Sequence, residues 1–229
     1  MKKYRVLGNI FVCFLLCGCT HNVMVPKEVL AQKGRVGLLW KSTSEGATFE
    51  RMGGQGLLDM AVSHVLSGDL GDNLATVKVA PYAQSLYLQK FGPGFENKGF
   101  SANLVALPLN KEDLRESPHT DGPPAPYDFT KFKKDFDYVV YLDIFEFGAE
   151  QSFFGPVATG DPVGASQINI FLINTTTNTV AAEYHTRKTL PSKKKWDSTP
   201  DYKDLKEAIV ASLQQTLEEA YIGFFDKKD

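Results

Sequence analysis

Three carboxylates close in sequence, Asp143, Glu146 and Glu150, are the side chains with the best claim to hydrolytic chemistry. A glycosidase needs two such groups, one protonated to donate to the leaving oxygen and one ionised to attack or to activate water. Asp143 and Glu146 are three apart on a predicted strand, which sends them to opposite faces. A shared site therefore needs a bulge between them or another partner; otherwise they are ordinary strand-edge carboxylates. Serine-based hydrolysis finds no Gly-x-Ser-x-Gly turn. The four histidines, His21, His64, His119 and His185, fall in a tether, a helix, a loop and a strand, without metal-ligand spacing. No metal site and no cofactor are expected. Gly53-Gly54-Gln55-Gly56 precedes a helical pattern as a phosphate cradle would, but no Lys-Ser or Lys-Thr follows, and it reads as a helix entry.

Two further clusters suit binding. Phe153-Phe154-Gly155-Pro156 and Thr159-Gly160-Asp161-Pro162 lie in a loop from Gly148 to Gly164 rich in glycine, proline and aromatics. Exposed there, Phe153, Phe154 and Asp161 would form a protein-binding hot spot; tucked inward, the same residues would close an Ω-loop on its own base. Arg187, Lys188, Lys193, Lys194 and Lys195 form a basic loop beside Trp196. Lys193, Lys194, Lys195 and Trp196 are the candidates for contact with anionic headgroups or a polyanionic envelope polymer, the alternative being a solvated charged loop.

The only thiols are Cys13, Cys17 and Cys19, all in the first nineteen residues, which excludes a disulfide framework in the domain. They sit in a leader. Lys2, Lys3 and Arg5 make a positive start, and Ile10 to Leu16 is an apolar run much shorter than the ~20 residues a spanning helix needs. Leu16-Cys17-Gly18-Cys19 resembles the bacterial lipobox, with Cys17 an unusual residue at its second position. The resemblance implies cleavage before Cys19 and a diacylglyceryl thioether, with an N-acyl chain such as palmitate, on that cysteine. Two or more chains anchor stably where one does not. Thr20, where an Asp would signal inner-membrane retention in enteric lipoproteins, implies the outer membrane, facing the periplasm, in a Gram-negative host. Residues 1–18 are thus a signal peptide, 19–33 a lipidated N-terminus and polar tether, and 34–226 one globular domain.

Losing Lys2, Lys3 and Arg5 takes the net charge of −2 to −5, which gives no electrostatic reason to expect nucleic acid as a partner. The domain alternates element types. Strands are predicted at Arg35–Trp40, Ala75–Ala80, Ser101–Leu107, Tyr138–Phe147, Gln167–Asn174 and Thr179–Thr186. Helices are predicted at Leu57–Leu66, Tyr82–Phe91 (broken at Gly92-Pro93-Gly94), Asp128–Asp135 and Asp204–Phe225. The last is amphipathic, with Leu205, Ile209, Leu213, Leu217, Ala220 and Phe224 on one stripe. Pro108 to Pro126 reads as a surface loop. On Tyr138–Phe147, Val140, Leu142 and Ile144 share one face and Tyr141, Asp143, Phe145 and Phe147 the other. The fold class is α/β (α+β): one mixed β-sheet of about six strands with packed helices and a long C-terminal amphipathic helix.

The strand at Tyr138–Phe147, the Gly160-Asp161-Pro162 loop and the run from Ile168 to Asn178 resemble periplasmic α/β lipoproteins similar to the Tol-system N-terminal domain and the curli-secretion lipoprotein. That resemblance implies an accessory of envelope assembly or export with a protein partner. A pore-forming relative would need inserted strands of about 9–11 alternating residues, and Gly155, Pro156, Gly160, Pro162 and Gly164 interrupt the interval available. The expected function is a lipid-anchored, non-enzymatic binding module of the cell envelope, held to the membrane through acyl chains on Cys19. The alternative is an envelope glycan hydrolase using the strand carboxylates.

Overall fold

The computed structural model describes residues 22–53, 68–105, 115–117, 122–155, 157–198 and 201–225. In chain order the elements are α1 (Lys27–Gln32), β1 (Arg35–Ser42), β2 (Thr48–Met52), α2 (Gly68–Ala75), α3 (Val79–Asn97), β3 (Ser101–Leu104), β4 (Tyr138–Phe154), β5 (Val157–Ala158), β6 (Val163–Asn174), β7 (Thr179–Pro191) and α4 (Lys203–Phe225). They form the expected α/β fold, with seven strands in one mixed sheet ordered β3-β1-β4-β6-β7. The two further strands are short: β2 continues beside the upper half of β4, and β5 turns back on the end of β4.

β1 runs parallel to β3 and β4, and β4, β6 and β7 form an antiparallel meander. Val36 through Trp40 are all buried because both faces of β1 are covered, as a central strand with parallel neighbours requires. On one face lie α3 and α4. The predicted stripe of α4 is buried along its whole length, against Val140, Leu142, Ile144, Ile168 and Ile170. Each such buried aliphatic or aromatic side chain contributes about 1.5–3 kcal/mol. On the opposite face, among the described residues, Ala125 and Phe129 cap Leu39, Val139, Tyr141 and Ile173. Asn178, at φ 56°, closes the β6–β7 turn and holds this cover down. Its side-chain oxygen accepts the Phe129 N–H at 2.8 Å and its amide donates to the Tyr127 carbonyl at 3.0 Å.

Several local expectations give way to tertiary contacts. Ala75–Ala80 is not a strand: α2 ends at Ala75, Lys78 is extended, and Val79, fully buried, starts α3. Pro81 falls in the first turn of α3, where its missing N–H removes no helical bond. Gly92-Pro93-Gly94 does not end that helix. Tyr87, Phe91 and Phe95 fix it to the core, and Tyr87 donates a 2.9 Å hydrogen bond to the Val140 carbonyl. Bare Gly94 is where α4 crosses; a Cβ there would stand 2.7 Å from the Tyr221 ring. Asp128–Asp135 contains only a single 3-10 turn, Thr130–Phe132. The predicted helix at Leu57–Leu66 lies outside the described residues.

Phe153 and Phe154 are not in a loop but end β4, paired with Ala158 and Val157, and Gly155 follows them at φ 57°. β4 and β6 therefore extend through most of the interval that the glycines and prolines were expected to break. Arg187 and Lys188 likewise belong to β7, not to a basic loop. The segment read as a tether folds onto the domain from Asn22 onward. Val23 bridges Glu183 in antiparallel fashion, Val25 is buried, and Val29 and Leu30 of α1 pack on the core.

Candidate functional site

β4 carries a bulge at Phe145: Ile144 pairs with Ile168 and Glu146 with Gln167, leaving Phe145 unmatched and 59% exposed. The extra residue reverses side-chain parity beyond it. Phe147 consequently packs with Val140, Leu142 and Ile144 in the helix-covered core, instead of sharing a face with Tyr141. By the same reversal Asp143 and Glu146 come to one face, the condition that sequence parity alone did not meet.

On that face the strands align a polar row. Lys41, Asp143, Asn169 and His185 stand opposite one another on β1, β4, β6 and β7. His185 Nδ1 lies 2.8 Å from Asn169 Oδ1, and its Nε2 lies 3.7 Å from Glu183 Oε2. Burial pushes the Asp143 carboxyl above its ordinary range, and the charge of Lys41 partly offsets this. One step along, Arg187 donates from Nε to Glu146 Oε2 at 2.8 Å and from Nη2 to Glu146 Oε1 at 3.1 Å. The same Nη2 also pairs with Glu150. These bonds to carboxylates raise the guanidinium's pKa further, against its partial burial. Glu146 and Glu150 are thus both engaged by one cation, while Asp143 is raised by its burial.

The aromatic and basic candidates separate into an inner and an outer set. Phe153 is half-buried under Arg51, whose guanidinium carbon lies 3.6 Å from the ring centroid. Phe153 and Trp196 line one cavity of about 210 Å³, together with Phe49, Leu70 and Tyr202. Trp196 is stacked on Tyr202, with centroids 6.0 Å apart and planes within 7°. Two residues singled out separately in the sequence therefore border the same cavity. The outer set comprises Phe154, 82% exposed, with Asp161, Lys193, Lys194 and Lys195, all exposed. Val157 and Met52, exposed beside Phe154, had no mark in the sequence beyond ordinary apolar character. Their placement follows from β5 and β2 pairing with the end of β4. Cys19, His21, His64, His119 and Gly54-Gln55-Gly56 lie outside the described residues.

Searches for a matching family model and for a matching curated protein found none. Several solved structures follow a similar chain course. Protein XCC0632 from Xanthomonas campestris, of family DUF330, is 10% identical with a TM-score of 0.45, covering 82% of each chain. The PelC dodecamer of Paraburkholderia phytofirmans is 10% identical with a TM-score of 0.37, over 86% of this chain and 95% of that one. Lipoprotein GNA1162 from Neisseria meningitidis is 11% identical with a TM-score of 0.33, over 79% and 99%. At TM-scores below 0.5 the likeness is loose, and no role is carried from these proteins to this chain.

Proposed function

We propose that this chain is a lipid-anchored cell-envelope lipoprotein whose domain is a non-enzymatic binding module, an accessory to envelope assembly or export. The observation that carries the reading is the leader ending in Leu16-Cys17-Gly18-Cys19, followed three residues later by folded chain. Asn22 Oδ1 accepts the His185 N–H at 2.9 Å, and Val23 exchanges both backbone bonds with Glu183 at 2.8 and 2.9 Å. Residues 19–21 reach at most about 10 Å at ~3.3–3.6 Å per residue. Acyl chains on Cys19 would therefore hold the β7 edge close to the bilayer instead of letting the domain range on a long tether. In a Gram-negative cell that membrane would be the outer one, with the domain in the periplasm.

The docking element in this reading is the end of the β4–β5 hairpin, with Phe154 and Asp161 outward and Phe153 as its support. Crosslinking and co-purification of the lipidated protein from membranes test it. Phe154→Ser and Asp161→Ala should lose a contact that the parent protein makes. If both variants keep every contact, the hairpin end is not the docking element.

The bulge at Phe145 favours a second reading, envelope glycan hydrolysis, by bringing Asp143 and Glu146 to one face. In that mechanism Asp143, whose carboxyl is raised by burial, would be the acid and Glu146 or Glu150 the base. Asp143→Ala or Glu150→Ala would then abolish turnover of an envelope glycan with the fold intact. Arg187 opposes this reading, since it engages Glu146 by two charge-assisted bonds and Glu150 by one, and a base so engaged is a poor proton acceptor.

A further inference from the structure

We propose that the cavity between the end of the sheet and the start of α4 binds a single neutral sugar ring, free or at the end of a glycan chain. The site goes beyond the reading above: it does not depend on acylation of Cys19 or on the outward face of the hairpin. It also lies on the other side of the sheet from the Asp143 row.

Three walls make the cavity. The first is the sheet, where Phe49 stands opposite Ala149 and Arg51 opposite Gln151. Phe49 and Ala149 belong to the helix-covered core, so alternation puts Arg51, Gln151 and Phe153 on that side too. The second is the first turn of α2, which brings the exposed Asp69. The third is the segment ahead of α4, with Trp196 and Tyr202. Together they line about 210 Å³. Its four rings, Phe49, Phe153, Trp196 and Tyr202, are each only half-buried, so aromatic surface is left over around the space.

The third wall is held in a costly conformation. Asp201 and Tyr202 have φ of 62° and 57°, a left-handed backbone that a bulky side chain rarely takes. The Tyr202 N–H donates to the Ser198 carbonyl at 3.1 Å, and its own carbonyl accepts the Lys206 N–H at 3.0 Å. In this conformation the Tyr202 ring lies parallel to Trp196. Strain of this kind collects at ligand clamps.

The polar lining selects the class of ligand. It comprises one guanidinium, one carboxylate and one amide: Arg51, Asp69 and Gln151. A small cation would meet Arg51, already seated over the Phe153 ring, and a small anion would meet Asp69. A neutral ring bearing hydroxyls meets neither repulsion. Its C–H face packs on the aromatic rings, and its hydroxyls can donate to Asp69. Gln151 is oriented by the bond its amide donates to the Gly160 carbonyl at 2.8 Å, which leaves its oxygen as an acceptor and its second N–H as a donor. The volume suits one ring, being below the about 300–1,000 Å³ of sites for drug-sized ligands.

The chain has two tryptophans. Trp40 is buried in the core at 5% exposure, so Trp40→Phe leaves Trp196 as the fluorescent reporter in the full chain. Glucose, galactose and N-acetylglucosamine are titrated, each as the free sugar and as its methyl glycoside. At least one should change Trp196 emission saturably, with a midpoint in the millimolar range. Saturation-transfer NMR on the parent protein should show the same sugar receiving magnetisation from aromatic protons, whether or not Trp40→Phe folds. Asp69→Ala and Gln151→Ala should each weaken binding about fivefold, the loss of one hydrogen bond. Choline and inorganic phosphate, the charged probes, should not bind. The proposal is overturned if no sugar saturates, if choline or phosphate binds instead, or if both variants bind the sugar as the parent does. A methyl glycoside bound as tightly as the free sugar assigns the site to a chain end, and the free sugar bound alone assigns it to a monosaccharide; either supports the site. Protein without an acyl group that still binds the sugar sinks the anchor and spares this site. Acylated protein that binds no sugar does the reverse.

Discussion

Arg187 shows how much of the polar face depends on one side chain. Its partner Glu146 has a side chain only 8% exposed, while Arg187 itself is 38% exposed. Arg187→Ala leaves a buried carboxylate without its cation and should cost about 2 kcal/mol, below the 3–5 typical of a wholly buried pair because the arginine is partly solvated. Urea unfolding at neutral pH measures it, and an unchanged midpoint would refute it. Asp143 and Asp137 predict opposite pH dependences. Asp143 is raised by burial, so the native state binds its proton more tightly than the unfolded state. Stability then falls as pH climbs from the ordinary 3.8 to the raised value, and is flat beyond. Asp143→Asn should remove that fall and be the more stable protein at pH 7. Asp137 is lowered, chiefly by the Arg35 backbone N–H donated at 2.8 Å, with the Arg35 side chain adding to it. Its contribution is present above the usual carboxylate range and fades as pH drops below it; Asp137→Asn should flatten the acid limb. Denaturation midpoints across pH for the two variants should move in these opposite senses.

Among elements, those legible in the sequence are the ones whose periodicity their own neighbours enforce. The stripe on α4 and the β6–β7 hairpin around Thr175–Asn178 stand as read, because a 3.6-residue or two-residue repeat is itself the record of one buried face. What stayed hidden depends on partners distant in sequence. The bulge at Phe145 is a mismatch of β4 with β6, visible only once Glu146 is paired with Gln167. α3 survives Pro93 because α4 lies across Gly94. Phe153 and Phe154 read as loop residues because glycine and proline follow them, whereas their pairing with Val157 and Ala158 ends β4. Arg187 looked like part of a solvated basic run, since nothing local points to Glu146 forty-one residues away. Close packing of elements gives a sharp contrast between two glycines. A Cβ on Gly164 would meet backbone atoms of Ala208 at 2.4–2.5 Å, whereas one on Gly160 meets nothing within 4 Å. Gly164→Ala should push α4 off β6 and cost about 2 kcal/mol or more, and Gly160→Ala should be neutral. Paired urea curves check both, and equal midpoints would mean that α4 does not seat on β6 as described.

For the whole molecule, the governing fact is how few residues separate Cys19 from the folded sheet, which begins at Asn22 and Val23. A tether from 19 to 33 would have let the domain sample positions on the order of 20 Å from its anchor. With Asn22 and Val23 already on the β7 edge, the lipidation proposed at Cys19 would instead fix which side of the domain meets the membrane. The most direct measurement is therefore the intact mass and N-terminal identity of the full chain purified from membranes. The account predicts a chain that begins at Cys19 and carries diacylglyceryl plus an N-acyl group, with acyl labelling abolished in Cys19→Ala. A mature protein with an unmodified Cys19, or one still acylated after Cys19→Ala, would contradict it.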